Sequence, residues 1–527
     1  MKTISKLFTV SCFLIIASTT VYAQNLEKGI KLFEAKRYNA SKEFFHTALN
    51  ENPKNGLTHY YIGEICYYFG KMDSASFFFQ QGLKLDPKQP LNYVGLGKIL
   101  LDEDKSEEAK LQFQEAQMLS QKKETVLIKI AEAYLEGKSK NFEEALYYVN
   151  EAKKISPNEP LVYITLGDVY VKKNDGSNAI SNYEKALELN PNFAKAYDRI
   201  GQIYVMSKNF EEAEINFGKA LSIDPEYAPS YKEIAELLYQ MKQYTKAIDS
   251  YKTYIDLVGN EPEALKRYAS FLFISKKYSE TIRIIEEHFK DISTNNNLQK
   301  LLAYSYYETG NYSQGLSTIE NYLSGVSPNK ITAGDYEYYG KLLFKNGKDS
   351  MAVLNFEKAI NSDPLKLEIH NALAEIYFNQ KKYSKAAEEY QLKFNKLKSA
   401  PSAVDLFELG RSYYFYPDYG KADSVFALVI SKVPDRPTGY LWRARANSNL
   451  DPESEKGLAQ SYYEQFITKV TDSEKERYKN ELIEAHSYLG YLFYLKKDFT
   501  NSKINWQNVK LLEPENVKAR EALKVLK

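Results

Sequence analysis

Apolar residues recur along this chain with the period of an amphipathic helix. In residues 194–227 they occupy positions 197, 200, 201 and 204, then 213, 217, 220 and 221, which is the i, i+3, i+4, i+7 spacing of one helical face. Residues 207–210 separate the two stretches. Asp224-Pro225 ends the second stretch, because proline disfavours helical geometry in the residue before it. The segment therefore predicts two helices joined by a short turn.

The same pattern returns at a fixed interval, most often the 34 residues that separate Gly63 from Gly97. A second small residue usually follows twelve positions later, as Ala213 follows Gly201. Small residues let two helices approach closely, so each repeat is predicted to be a tight helical hairpin. The first small residue of each repeat is Gly29, Gly63, Gly97, Ala131, Gly167, Gly201, Ala235, Ala269, Ala303, Gly340, Ala374, Gly410, Ala444 or Gly490.

This repeat resembles that of the tetratricopeptide repeat family, whose 34-residue unit has small residues where its two helices cross and a proline at the turn to the next unit. Residues 160–193 and 194–227 carry the resemblance most clearly, and it covers residues 24–514. It implies an all-α fold, a right-handed α-solenoid superhelix of about fourteen helix-turn-helix repeats, with a C-terminal capping helix at 515–527. The first helices would form a concave wall. The pattern is irregular at 259–331 and after Thr468.

The first 23 residues have the pattern of a signal peptide. Lys2 and Lys6 precede an apolar run over residues 7–17, which is too short to cross a bilayer core of roughly 30 Å as a helix. Cleavage after Ala23 would leave Gln24 as the first residue of the mature chain. We therefore expect an exported bacterial protein in the periplasm or associated with the outer membrane, with no integral membrane span in the mature chain.

The composition excludes several functional classes. Seventy basic and 69 acidic residues give a net charge of +1, which removes bulk electrostatic attraction to nucleic acid. The two cysteines, Cys12 and Cys66, exclude a disulfide framework and a cysteine-rich zinc module. The sequence also lacks a glycine-rich phosphate loop and a GxSxG nucleophile motif. We expect no enzymatic activity, no cofactor and no metal.

A row of aromatic residues is the first candidate binding surface. In the family that the repeats resemble, this position faces the concave groove, and aromatic side chains offer a large contact area at a low entropy cost. The alternative is that the rings pack against a neighbouring helix and only border the groove. The row consists of Tyr239, Phe273, Tyr307, Phe344, Phe378 and Tyr414, at the same position in six consecutive repeats.

Basic residues form the second and third candidates. Lys232, Lys266 and Lys300 recur at intervals of 34 and resemble part of a carboxylate clamp, although Glu236, Ser270 and Tyr304 replace the matching asparagine. Glu236 is placed to neutralise Lys232.

Arg443 stands where other repeats have an apolar core residue, and Arg445 is predicted to lie nearer the groove. An ion pair of Arg443 with Glu464 or a neighbour is one explanation, and a site for a carboxylate or phosphate is the other.

Together these features favour a non-enzymatic scaffold or assembly factor of the cell envelope that holds a protein or peptide partner in its groove. Tetratricopeptide repeats are binding modules in the family at large, so this part of the hypothesis rests on the resemblance. Because aromatic faces also stack on sugars, a carbohydrate- or surface-polymer-binding protein is the alternative.

Overall fold

The computed structural model describes residues 22–138, 140–397 and 400–526, and within them the secondary structure is entirely helical. The predicted signal peptide falls almost wholly on residues 1–21, outside the described residues. Helix α1 covers 22–34. The helices that follow are α2 (Tyr38–Glu51), α3 (Gly56–Tyr68), α4 (Met72–Leu85), α5 (Pro90–Asp102), α6 (Ser106–Leu119), α7 (Lys123–Glu136), α8 (Phe142–Ile155), α9 (Pro160–Lys172), α10 (Gly176–Leu189), α11 (Ala194–Met206), α12 (Phe210–Ile223), α13 (Ala228–Gln240), α14 (Tyr244–Val258), α15 (Pro262–Ile274), α16 (Tyr278–His288), α17 (Asn296–Glu308), α18 (Tyr312–Gly325), α19 (Ala333–Lys345), α20 (Asp349–Ser362), α21 (Glu368–Asn379), α22 (Tyr383–Lys396), α23 (Ala403–Phe415), α24 (Tyr419–Lys432), α25 (Pro437–Leu450), α26 (Gln460–Lys469), α27 (Lys479–Leu495), α28 (Phe499–Leu512) and α29 (Val517–Val525).

Small residues bring the two helices of a repeat into close contact. A Cβ added to Gly201 would lie 2.6 Å from the Phe217 ring, and one added to Gly63 would lie 2.4 Å from the Phe79 ring. These distances are shorter than a van der Waals contact, so the aromatic ring of the second helix occupies the space that a side chain would need. The all-helical class and the helix-turn-helix arrangement are confirmed.

The turn inside a repeat has a recurrent backbone conformation. Lys208 has a φ of 60°, and its N–H donates to the Val205 carbonyl while the Asn209 N–H donates to the Tyr204 carbonyl. These bonds satisfy carbonyls at the end of the first helix, which lack donors inside it. The same left-handed conformation occurs seven residues after the first small residue of other repeats, at Lys36, Gly70, Asp104, Asn174, Lys242, Lys276, Gly310, Gly347, Lys381 and Lys497.

The irregular stretches of sequence contain irregular structure. Short 3-10 helices occur at Pro328–Lys330 and Asp472–Glu474, in the two regions where the spacing departs from 34 residues. Helix α29 lies inside the predicted cap. The helices of the described residues are enough to form fourteen helical pairs and one final helix. The count of fourteen repeats stays a prediction.

The chain divides into two compact parts, which we call the N-terminal array (residues 1–290) and the C-terminal array (residues 291–527). None of the helices in the described ranges is both long and apolar enough to cross a membrane.

Candidate partner-binding surfaces

All six residues of the aromatic row are half-buried near the ends of their repeats' first helices. Five of them contact the aromatic residue that begins the second helix of the same repeat. The pairs are Tyr239–Tyr244, Phe273–Tyr278, Tyr307–Tyr312, Phe378–Tyr383 and Tyr414–Tyr419, with ring centroids 5.1–5.7 Å apart. The sixth, Phe344, lies 5.3 Å from the Lys345 ammonium. These contacts join the end of the first helix to the start of the second and thus stabilise the turn between them. The role of the aromatic row in partner binding stays a prediction.

In the C-terminal array, part of this row joins arginines in one continuous cluster. The Arg411 guanidinium lies 4.7 Å from the Phe378 ring and 5.8 Å from the Trp442 ring, and the Arg445 guanidinium lies 5.0 Å from Trp442. The Phe415 ring lies 5.6 Å from Phe378 and remains 41% exposed. We call this set the aromatic–arginine cluster, which consists of Phe378, Arg411, Tyr414, Phe415, Trp442 and Arg445.

The arginines of the cluster are held by carboxylates. Arg445 forms a bidentate ion pair with Glu484, with Nε–Oε1 and Nη2–Oε2 distances of 2.9 and 2.7 Å. The Tyr463 hydroxyl donates to the same carboxylate at 2.9 Å. Burial works to lower the pKa of Arg445, but the Glu484 carboxylate outweighs burial and raises it. Arg411 pairs with Glu408 at 2.9 Å. The cluster is therefore preorganised and internally neutralised.

In the structure, Arg443 forms its ion pair with Asp423 and not with Glu464. Its Nε lies 2.7 Å from Oδ1 of Asp423, and its guanidinium lies 4.3 Å from the Tyr462 ring. Glu464 instead accepts a hydrogen bond from Gln460 on its own helix. Asp423 is on α24, the second helix of the preceding repeat, which packs against the helix that carries Arg443. Arg443 therefore forms an ion pair with a neighbour other than Glu464, and its role in partner binding stays a prediction.

The three lysines of the predicted clamp lie in three different environments. Lys232 is exposed. Lys266 pairs with Glu263 on its own helix at 2.6 Å. Lys300 lies 2.8 Å from the fully buried Asp335 carboxylate, which also accepts a hydrogen bond from Tyr304. Lys300 is thus neutralised by a buried carboxylate, whereas the Lys266 pair lies at the surface, and these different environments argue against a shared clamp.

The N-terminal array contains a set of charged side chains that was not predicted from the sequence, and we call it the charged network. Lys98 Nζ lies 2.9 Å from Glu64 and 2.7 Å from Glu136, and Lys129 pairs with Glu132 at 2.7 Å. Burial by itself raises the pKa of Glu132, but the nearby lysines outweigh it and lower the pKa to about 2. The remaining members are Asp168, Lys195 and Arg199. The sequence feature that could have predicted this network is the recurrence of charged residues at positions 64, 98 and 132, at intervals of 34.

Stacked helical hairpins with small residues at their crossings define a helical-repeat protein, and comparison with known proteins gives its family. A model described as "TPR repeat" matches residues 167–208, and two models described as "Tetratricopeptide repeat" match residues 194–227 and 340–394. The chain belongs to the tetratricopeptide repeat family.

Two solved structures are similar to parts of this chain. The chain is 33% identical to the C-terminal part of a TPR repeat-containing protein from Cytophaga hutchinsonii, over 49% of this chain and 99% of that one, with a TM-score of 0.43. It is 20% identical to a tetratricopeptide repeat protein from Parabacteroides merdae, over 49% of this chain and 100% of that one, with a TM-score of 0.31. No curated protein matches the chain.

Proposed function

We propose that this protein is a non-enzymatic scaffold or assembly factor of the cell envelope, which holds a protein partner at the aromatic–arginine cluster of the C-terminal array. Tetratricopeptide repeats are generally protein–protein interaction modules. We propose no catalytic activity for the cluster, because its two arginines form ion pairs with glutamates of the same chain.

The aromatic–arginine cluster is the observation that carries this proposal. Tryptophan, tyrosine and arginine are the residues enriched at the energetic centres of protein interfaces. Here ring contacts and ion pairs already hold them in place, which lowers the entropy cost of ordering them when a partner binds. The same arrangement disfavours the carbohydrate alternative, since two guanidinium groups crowd the Trp442 ring on which a sugar would stack.

The test is affinity capture from an envelope extract of the native host with the intact mature protein as bait. Truncating Phe415 to alanine should weaken retention of a captured protein by about 2 kcal/mol in binding free energy, or roughly 30-fold in Kd, as expected for an interface centre. Binding is then measured with the purified partner, alongside thermal unfolding of each variant.

Phe77→Ala is the matched control, because Phe77 is an exposed phenylalanine of the N-terminal array. It should leave the Kd unchanged. Equal retention by the Phe415→Ala variant and the unaltered protein would remove the cluster from consideration. Capture of polysaccharide in place of protein would favour the carbohydrate alternative.

Export is the second part of the proposal, and Lys2, Lys6 and the apolar run over 7–17 support it. We expect the protein isolated from its native host to begin at Gln24, because cleavage after Ala23 would remove the whole signal peptide. Amino-terminal sequencing measures this directly. A chain that still begins at Met1 would contradict export by cleavage.

A further inference from the structure

Three consecutive repeats of the N-terminal array carry a lysine in the left-handed turn between their two helices. Lys208, Lys242 and Lys276 have φ values of 59–60°, a region that glycine and asparagine occupy at a lower cost. All three side chains are exposed, and in the described part of the chain they form neither an ion pair nor a side-chain hydrogen bond. A lysine kept in an unfavourable conformation without an internal partner points to a partner outside the chain.

Large apolar side chains lie beside these lysines at the surface. Met206, Met241 and Ile274 are 64%, 37% and 39% exposed, and each stands one or two residues before a turn lysine. They lie at the ends of α11, α13 and α15, the first helices of the three repeats. Each turn therefore presents an apolar side chain and a free ammonium group together.

An aromatic residue completes each of these turns. Phe210, Tyr244 and Tyr278 begin the second helices of the three repeats and are half-buried. Consecutive repeats stack in the same orientation, so the three turns follow one edge of the array. We call residues 206–210, 241–244 and 274–278 the basic edge.

The equivalent turn of the first repeat is covered, which sets the basic edge apart. There, Asn39 Nδ2 donates to the Val258 carbonyl at 2.9 Å, and Arg37 forms an ion pair with Glu226. The turns of the basic edge lack such cover, since their lysines and apolar side chains are exposed.

Nearby charges leave the basic edge positive. Lys277 and Glu280 neutralise each other in an ion pair of 3.3 Å, and Glu211 and Glu212 at the start of α12 oppose Lys208. Over residues 206–212, 241–246 and 274–280, five lysines nevertheless stand against three glutamates. The edge therefore attracts an anionic surface.

We propose that the basic edge docks on a membrane surface that contains anionic lipids. Its lysines pair with the headgroups, while Met206, Met241 and Ile274 enter the boundary between headgroups and acyl chains. Aromatic rings are also favoured at this depth. A soluble polyanion would neutralise the lysines but leave the apolar side chains in water. The attachment is peripheral and is separate from the protein binding proposed for the C-terminal array.

Flotation with lipid vesicles tests the docking, using the chain from Gln24 onwards so that the apolar run at 7–17 cannot contribute. We expect binding to vesicles of phosphatidylethanolamine and phosphatidylglycerol, weaker at high salt, and no binding to phosphatidylcholine alone. The triple variant Lys208→Gln, Lys242→Gln, Lys276→Gln should lower the affinity by on the order of a hundredfold. Equal binding to both kinds of vesicle would overturn the proposal.

A matched triple variant controls for the loss of charge. Lys219→Gln, Lys252→Gln, Lys290→Gln removes three exposed lysines from the same three repeats, on or just after their second helices. It should bind anionic vesicles like the unaltered chain. If the two triple variants lose affinity equally, the basic edge is not the docking surface.

Replacing the apolar side chains distinguishes a membrane from an acidic protein or polymer. The double variant Met206→Ser, Ile274→Ser should weaken vesicle binding by about tenfold, with thermal unfolding unchanged because both side chains are exposed. Unchanged affinity in this variant, together with a loss in the lysine variant, would overturn lipid docking in favour of an acidic partner.

An environment-sensitive fluorophore gives an independent measure of which surface meets the lipid. It is attached at Ser207→Cys on the basic edge or at Gly218→Cys on α12, both exposed positions of one repeat, in a Cys66→Ala background. Anionic vesicles should shift the emission to the blue at position 207 and leave it unchanged at 218. A shift at position 218 alone, or at both positions equally, would overturn docking through the basic edge.

Discussion

Replacing Lys98 with methionine should lower the free energy of unfolding by about 3 kcal/mol or more, because it leaves a carboxylate without its counterion inside the fold. Lys98 is 4% exposed and lies between Glu64 and Glu136, with its ammonium 4.1 Å from the Tyr67 ring. Glu136 reaches solvent and can be rehydrated. Glu64 is far less exposed, so most of the cost arises there.

Denaturant unfolding of the variant and the unaltered protein measures this loss. Adding Glu64→Gln to the Lys98→Met variant should restore much of the stability, since the stranded charge is removed as well. Lys105→Met is the control, because Lys105 forms an exposed pair with Glu103 and should contribute little. Coincident unfolding curves for Lys98→Met and the unaltered protein would show that the buried pair is dispensable.

Replacing Gly201 with leucine should also destabilise the protein, by about 1–3 kcal/mol or more through overpacking. A first side-chain atom at this position would already lie 2.6 Å from the Phe217 ring, so α11 and α12 must separate. Helices α11 and α12 pack mainly against the helices next to them along the chain, so most of the damage should remain local and make unfolding less cooperative. Denaturant unfolding measures both the midpoint and the steepness of the transition.

Gly218→Leu provides the matched control within the same repeat. Gly218 lies on α12, and a Cβ there would meet no atom within 4 Å. Leucine should therefore be tolerated, and should even stabilise the helix by up to about 1 kcal/mol because glycine is a poor helix former. If both leucine variants unfold like the unaltered chain, the close-approach role of Gly201 is wrong.

The helices themselves follow from local sequence. The spacing over residues 194–227 predicts two helices with a turn at 207–210, and the structure has α11 ending at Met206 and α12 beginning at Phe210. This agreement is possible because periodicity, turns and proline act over a few residues. The left-handed backbone conformation in these turns was not predicted, because lysine often stands at the turn position where glycine would be expected.

The environments of the candidate residues depend on other repeats. Lys300 has the spacing of a groove cation, yet Asp335 of the next repeat neutralises it. Arg443 stands on a core position, yet Asp423 of the preceding repeat holds it. The partner is 20 residues away in sequence for Arg443 and 35 residues away for Lys300. The periodicity within one repeat does not indicate which residue of another repeat will lie beside a given side chain.

The sequence by itself determined the repeat, the helical hairpin and the small residues at each crossing, because these depend on neighbours along the chain. Only the tertiary structure decided which charges meet, and that the start of α2 closes on the end of α14, 219 residues away. The physical reason is that each repeat adds a small rotation to the one before it. Contacts between distant repeats depend on the sum of those rotations, which no single repeat encodes.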